Sequence, residues 1–106
     1  MSNTAATSAR RPTIREITAV VARNQNVPQS QLKSSSRKQS IVFARGLIVF
    51  LARELANLSY EEIGRALGGR DHTTIIHNYR KIAHECETNP QTAQTLESLR
   101  RTLLSR

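Results

Sequence analysis

The sequence predicts an all-α fold: a compact domain of about five to six helices that contains a helix-turn-helix. Three observations support it. Apolar residues recur at helical spacing along most of the chain, two Ser/Thr-x-x-Glu patterns precede apolar runs, and a Gly-Gly pair separates two amphipathic segments. No segment shows the alternation of apolar and polar residues that is typical of a strand. A length of 106 residues fits one domain with a modest core.

The chain is predicted to begin its ordered part with one helix and a short helical turn. Thr13 and Glu16 fit a capping box, in which each side chain bonds the backbone N–H of the other residue, and apolar residues follow at helical spacing to near Asn24. Proline is favoured at the first position of a helix. Pro28 therefore predicts a turn of helix through Leu32.

A polar, basic segment at residues 33–40 carries no core residue and is predicted to be a loop. From Ser40 to about Asn57, apolar residues occupy more than one face, as expected of a helix at the centre of a domain. Asn89 and Pro90 are a favourable start for a last helix. Its inward-facing residues are predicted to be Ala93, Leu96, Leu99, Leu103 and Leu104.

The predicted helix-turn-helix lies between the central and last helices. Ser59 and Glu62 form the second capping-box pattern, and the glycines at 68–69 end this short helix, because glycine adopts positive φ without a Cβ clash. Asp71 supplies an N-cap for the next helix. One face of that helix is apolar, whereas hydroxyl, imidazole and cationic groups cover the other. Such a polar face suits the donors and acceptors of a DNA major groove.

Residues 59–82, SYEEIGRALGGRDHTTIIHNYRKI, closely resemble the signature of the C-terminal DNA-binding domain, domain IV, of the bacterial replication initiator DnaA. The most specific part is GGRDHTT, followed at fixed offsets by an aliphatic pair, a histidine and Arg-Lys-Ile. A looser resemblance extends from about Ile14 to Leu104. It implies the helical fold that this domain shares with the Trp repressor. It also implies sequence-specific binding of double-stranded DNA at DnaA-box-like sites.

The resemblance implies base contacts for Asp71, His72, Thr73 and Thr74, at the start of the second helix of the motif. A carboxylate there can accept from a cytosine amino group, and a threonine methyl can pack on a thymine methyl. In the loop, Arg37 matches by offset an arginine that enters the minor groove, where narrow A·T-rich tracts concentrate negative potential. The alternative interpretation of this loop is a flexible tether.

Phosphate contacts are predicted for six basic residues: Lys38, Arg45, Arg53, Arg70, His77 and Lys81. Up to Arg53 the chain holds nine Lys or Arg and one acidic residue, whereas basic and acidic residues balance from Glu54 onward. We therefore expect the first half to hold phosphates and the second half to read bases. The alternative for Arg53 and Lys81 is solvated surface charge.

The start of the central helix departs from the family pattern. Where relatives commonly have Phe-Pro-Arg-Gln, this chain has Phe43-Ala44-Arg45-Gly46. Arg45 is kept, but Gly46 lacks a side chain that in relatives helps to hold the DNA backbone. The sequence-based hypothesis is that Gly46→Gln strengthens DNA binding without changing sequence preference.

Catalysis and metal binding are disfavoured. His72 and His77 lie about 140° apart around a helix, too far to share a metal, and no nucleophile, base and orienting group occur together. The glycines at 64 and 69 have the spacing of a phosphate loop but lack the Lys-Ser/Thr that must follow. We expect no enzyme activity, cofactor or metal, and DNA-site occupancy without ATPase or origin-melting activity.

Residues 1–12 are predicted to be a disordered tail, followed by the DNA-binding domain at 13–106, because the tail is small and polar with no signal-peptide segment. Charged residues interrupt the longest apolar run, so no membrane span is expected. Cys86 falls on an apolar face, which favours a buried thiol in a cytoplasmic, nucleoid-associated protein.

Double-stranded DNA is therefore the expected partner, and the expected role is regulation of replication initiation or transcription, or service to a mobile element. Two alternatives remain open. One is a non-specific basic nucleic-acid binder, for which the net charge of +8 is sufficient. The other is a protein-interaction module that binds the initiator or another replication protein.

Overall fold

The computed structural model describes residues 11–105, which form six helices and no strand. The helices are α1 (Ile14–Gln25), α2 (Gln29–Leu32), α3 (Gln39–Leu55), α4 (Tyr60–Ala66), α5 (His72–Thr88) and α6 (Pro90–Leu104). The predicted all-α fold is thus confirmed. The predicted tail lies outside the described residues, apart from Arg11 and Pro12.

Local sequence signals set the helix starts. Thr13 Oγ1 accepts from the Glu16 N–H at 3.1 Å, and Glu16 Oε1 accepts from the Thr13 N–H at 2.9 Å, which confirms the first capping box. The Asn89 side chain accepts from the Gln91 N–H at 3.0 Å and starts α6 as predicted. Pro28 is the N-cap of α2 and not its first residue, because its backbone is extended, with ψ at 138°.

Helix α3 is the centre of the domain, as predicted, and packs against each of the other five helices. Apolar side chains on several of its faces are buried because neighbours surround it. The fully buried ones include Ala44, Leu47, Ile48, Val49, Leu51 and Ala52. Helices α1 and α5 make the most extensive contacts with α3, and α6 packs against both of them.

Two predictions of burial are corrected by the structure. Leu104 is 55% exposed, whereas Leu96, Leu99 and Leu103 are buried. Successive helical residues are about 100° apart, so Leu104 falls off the inward stripe that the other three leucines share. Cys86 is only half-buried: it follows the apolar stripe of Ile75 and Ile82, but it lies near the end of α5, where it packs on the outside of the core.

Candidate nucleic-acid interface

The helix-turn-helix consists of α4, a turn at residues 67–71, and α5. The Ser59 hydroxyl accepts from the Glu62 N–H at 3.0 Å, and the Glu62 carboxylate accepts from the Ser59 N–H at 2.8 Å. This confirms the second capping box. The hydrogen bonds with Ser59 also hold the pKa of the Glu62 carboxyl below its ordinary value. The start of α4 is therefore fixed by contacts within four residues.

The turn between α4 and α5 depends on glycine. Gly68 and Gly69 have φ angles of 92° and 78°, a conformation that residues with a Cβ rarely adopt. The N–H groups of Gly69 and Arg70 both donate to the Gly64 carbonyl at 2.9 Å. A Cβ on Gly64 would overlap the Arg70 carbonyl oxygen. This close packing fixes the position at which α5 begins relative to α4.

Asp71 caps the start of α5, as predicted. One carboxylate oxygen accepts from the Thr73 N–H at 3.1 Å, and the other lies 3.9 Å from Nδ1 of His72. The Asp71 side chain is 68% exposed, so it can also accept from a donor outside the protein. The capping role and the predicted base contact are thus compatible in one side chain.

Helix α5 buries one face and exposes the other. Ile75 and Ile82 are buried against the core, while Ile76, Tyr79 and Ala83 are half-buried beside them. The exposed polar residues at its start and along its outer face are Asp71, His72, Thr73, Thr74, His77, Arg80, Lys81 and His84. The four residues predicted to contact bases in the major groove are therefore consecutive and accessible. Their contacts with DNA stay predictions.

The serine-rich loop, residues 33–38, lies beside the start of α5. A cleft of about 560 Å³ has Arg37 of the loop on one side and Asp71 and Thr74 on the other. The structure thus brings the predicted minor-groove residue close to two predicted major-groove residues. Asn78 also lines this cleft. The sequence-based site does not include Asn78, although its i+4 spacing from Thr74 places both residues on one helix face.

Arg45 does not have the environment of a phosphate ligand. Its side chain is buried, with 6% of the residue exposed. All three guanidinium nitrogens donate to carbonyl oxygens of the preceding segment: Gln31 at 3.1 Å, Leu32 at 2.9 Å, Ser34 at 2.6 Å and Ser36 at 2.8 Å. Burial and then the nearby charge of Arg70 lower the pKa of Arg45. The predicted phosphate contact is therefore corrected: Arg45 holds the serine-rich loop against α3.

Arg53 is half-buried at the far end of α3. It donates to the Leu58 carbonyl at 2.9 Å, and its guanidinium carbon lies 4.3 Å from the centre of the Tyr60 ring. Both contacts orient the guanidinium between α3 and α4, and a cation over an aromatic face is attracted by the ring quadrupole. Three other predicted phosphate ligands are exposed: Lys38, His77 and Lys81.

Arg70 is half-buried in the turn before α5. Its Nη2 donates to the Ser34 carbonyl of the serine-rich loop. Its Nε is buried and has no hydrogen-bond partner among the described residues. Arg70 thus contacts the loop that carries Arg37 and directly precedes the helix cap Asp71.

Residues 11–105 contain neither a cluster of metal-binding side chains nor a membrane-spanning helix. No three His, Cys, Asp or Glu side chains in this range are placed to hold a metal ion together. None of the six helices combines the length and apolar character that crossing a bilayer requires.

A short capped helix, a glycine turn and a second helix with an exposed polar start, set in an all-α domain, define a helix-turn-helix domain of the kind that binds DNA. The family model described as "Bacterial dnaA protein helix-turn-helix" matches residues 14–82. The chain belongs to this bacterial DnaA helix-turn-helix family, which confirms the resemblance seen in the sequence.

The similar proteins include several that are named chromosomal replication initiator protein DnaA. The protein of Cereibacter sphaeroides is 43% identical over 96 residues, which cover 91% of this chain and 21% of the relative. That of Treponema pallidum is 41% identical over 88 residues, 83% of this chain and 19% of the relative. The protein of Symbiobacterium thermophilum is 39% identical over 87 residues, which cover 82% of this chain and 19% of the relative. The chain spans about a fifth of the length of the curated relatives it matches.

Proposed function

We propose that this chain binds double-stranded DNA sequence-specifically at DnaA-box-like sites, with residues 13–106 as the DNA-binding domain. The observation that carries the proposal is the exposed, consecutive set of polar residues 71–74 at the start of α5, presented by the helix-turn-helix. Family membership supports it, because the relatives are named replication initiators. The net charge of +8 is consistent with a polyanionic partner.

Recognition is proposed to use both DNA grooves. The first turn of α5 enters the major groove, where the Asp71 carboxylate accepts from a cytosine amino group and Thr73 or Thr74 packs on a thymine methyl. His72 is proposed to contact a neighbouring base. Arg37, exposed in the loop across the cleft from Asp71, enters the adjacent minor groove.

Affinity is proposed to come mainly from phosphate contacts. Lys38, His77 and Lys81 have the exposure that such contacts require, and Arg53 retains partial exposure. Because each neutralised phosphate releases condensed counterions, binding should weaken steeply as salt is raised. The base contacts then select the site from a large excess of other DNA.

We also propose that these residues act by occupying a site and not by opening it. The glycines at 64 and 69 form the end of α4 and its tight turn, where the Gly64 carbonyl already accepts from the N–H groups of Leu67, Gly69 and Arg70. Arg70 and Asp71 follow them in place of the Lys-Ser/Thr of a phosphate loop. Occupancy on chromosomal DNA in the cytoplasm would regulate replication initiation or transcription.

The test is a binding titration, by fluorescence anisotropy, with a duplex that holds a DnaA box and a scrambled duplex of equal composition at about 150 mM salt. Specific binders typically prefer their site by roughly a thousandfold or more. Equal affinity for the two duplexes would contradict the proposal. Selection of bound duplexes from a random pool would give the target sequence and its symmetry.

Thr73→Ala separates base reading from general basic binding. Base reading predicts a loss of about 1–3 kcal/mol of discrimination at one base position, whereas a non-specific binder loses affinity for all duplexes equally. Thr102→Ala is the matched control, because Thr102 is an exposed threonine on α6. Pull-down of a replication protein that survives nuclease treatment would favour the protein-interaction alternative.

A further inference from the structure

Two arginines from different elements share one carbonyl oxygen in the serine-rich loop. Arg45 Nη2, from α3, donates to the Ser34 oxygen at 2.6 Å, and Arg70 Nη2, from the turn before α5, donates to the same oxygen. The loop is thereby tied both to the central helix and to the helix-turn-helix. The sequence does not predict this contact, because Ser34 and Arg70 are 36 residues apart along the chain.

The backbones of loop and turn also touch beside this shared carbonyl. A Cβ on Gly68 would stand 2.5 Å from the Lys33 carbonyl oxygen. The neighbouring Gly69 has a similar positive φ, but a Cβ there would meet nothing within 4 Å. Gly68 therefore provides the close approach of the turn to the loop, whereas Gly69 serves only the turn itself.

The charges at this junction argue against a purely stabilising role for Arg70. Two guanidinium groups meet at one acceptor, and like charges so placed repel each other. Among the described residues, the carboxylates that lie within ion-pair distance of basic groups are Asp71, beside His72, and Glu97, paired with Arg101, so neither arginine of the junction is paired with a carboxylate. The Arg70 Nε is also buried without a partner among the described residues, which is itself unfavourable. An arrangement that is costly to the fold is expected where function requires it.

We propose that Arg70 is a positioning residue for DNA recognition: by holding the Ser34 carbonyl, it fixes the loop that carries Arg37 relative to the turn that carries Asp71. The inference rests on the proposed function. Its consequence is a fixed register between the minor-groove and major-groove contacts, which lie on the two sides of one cleft. Loss of the Arg70 contact removes the contribution of Arg37 while leaving that of α5 in place.

The test compares four variants on the site obtained by selection: Arg70→Ala, Gly68→Ala, Gly69→Ala and Arg37→Ala. Gly68→Ala opens the junction without changing any charge. Gly69→Ala is its matched control, because it places the same side chain at a similar left-handed φ but away from the loop. Circular dichroism and thermal unfolding establish that each variant is folded.

Modified bases separate the two grooves in this test. Replacing adenine by 2,6-diaminopurine adds an amino group that is seen from the minor groove and keeps the major-groove pattern. Replacing thymine by uracil removes a methyl group that is seen from the major groove. The ratio of affinities for modified and unmodified duplexes gives the discrimination in each groove.

We expect wild type and Gly69→Ala to discriminate against diaminopurine about tenfold. Arg70→Ala and Gly68→Ala should lose that discrimination, as Arg37→Ala does, and keep the sensitivity to uracil. The double variant Arg37→Ala, Arg70→Ala should lose no more minor-groove discrimination than either single variant.

Two results would overturn the inference. One is a loss for Arg70→Ala that is uniform across duplexes, additive with Arg37→Ala and accompanied by a weaker salt dependence, which is the signature of a phosphate contact. The other is equal minor-groove discrimination by Gly68→Ala and Gly69→Ala. This result contradicts the inference even if Arg70→Ala does not fold. In both cases the wild type still prefers its site, whereas failure of the proposed function would abolish that preference in the wild type itself.

Discussion

Gly46 of the central helix and Ile82 of α5 are so close that a Cβ on residue 46 would stand 2.7 Å from Ile82 Cγ1 and 3.0 Å from Cδ1. Carbon atoms in favourable contact are about 3.5–4.0 Å apart. The glycine therefore permits the tight packing of α5, the helix proposed to read bases, on α3. The sequence predicts for Gly46 only the loss of a contact with the DNA backbone. The structure adds a second role, which is to let α3 and α5 pack closely.

Gly46→Ala is expected to lower the free energy of unfolding by about 1 kcal/mol. Overpacking costs about 1–3 kcal/mol, and the better helix propensity of alanine offsets up to about 1 kcal/mol of this. Urea unfolding monitored by circular dichroism measures the change. We expect a similar or larger loss of stability for Gly46→Gln, because its side chain is larger. The effect of Gly46→Gln on DNA binding stays a prediction.

The control for this prediction is the Ile82→Ala background. There the clash is absent, so Gly46→Ala should become neutral or stabilising. Stabilisation of the otherwise unchanged protein by Gly46→Ala would show that α5 shifts freely, and would contradict the packing argument.

Arg45→Lys is expected to lower the free energy of unfolding by about 2–4 kcal/mol. A lysine has one charged nitrogen and cannot reach all four carbonyls that the guanidinium satisfies, and a buried carbonyl without a donor is costly. Lys38→Ala is the control, because Lys38 is exposed, and its change should stay within about 0.5 kcal/mol. An Arg45→Lys protein with unchanged stability and weaker DNA binding would restore the phosphate-contact interpretation.

The elements that sequence reasoning predicts correctly are those fixed by local chemistry. Both capping boxes and the Asp71 cap involve residues no more than three apart, and each is present in the structure. The central position of α3 follows from its apolar residues on several faces, because each of these faces must be buried against another helix. The exposed start of α5 follows from the same periodicity.

The side-chain environments that the sequence does not predict depend on partners far along the chain. The partners of Arg45 lie 9 to 14 residues away, and Gly46 meets a residue on another helix. A cation in a basic segment is usually solvated, and its sequence gives no sign that loop carbonyls will surround it. Burial of Arg45 therefore depends on how the loop folds over α3, which the local sequence does not predict.

Asp71→Asn should separate the two roles of this residue. Asparagine caps helices about as well as aspartate, so the free energy of unfolding should change by no more than about 0.5 kcal/mol. The single amide oxygen of asparagine is used by the cap, so an NH2 donor replaces the second carboxylate oxygen, which is proposed to accept from a cytosine amino group. Discrimination at one base pair should therefore fall by about 1–3 kcal/mol. Asp71→Ala is the comparison and should also lose about 1 kcal/mol of stability. Unchanged discrimination by Asp71→Asn would assign Asp71 to capping alone.

Tyr79→Phe should change the alkaline stability of the domain. The Tyr79 hydroxyl donates to Glu54 Oε2 at 2.7 Å, while its ring stacks on Phe50 with centres 5.2 Å apart. The hydrogen bond to Glu54, followed by burial, raises the pKa of Tyr79 from 10.0 to about 12. As pH rises, the unfolded chain therefore loses this proton first. The contribution of the protonated Tyr79 hydroxyl to the free energy of unfolding is full below about pH 10 and is lost as pH rises towards about 12.

At neutral pH, Tyr79→Phe is expected to lower the free energy of unfolding by about 1 kcal/mol, because one hydrogen bond is lost. The difference in free energy of unfolding between wild type and Tyr79→Phe should narrow above about pH 10, since phenylalanine has no proton to lose. Urea unfolding at several pH values measures the gap. Tyr60→Phe is the control, because it leaves the bond between Tyr79 and Glu54 in place. A gap that stays constant with pH would show that the Glu54 contact does not hold the Tyr79 proton in the folded protein.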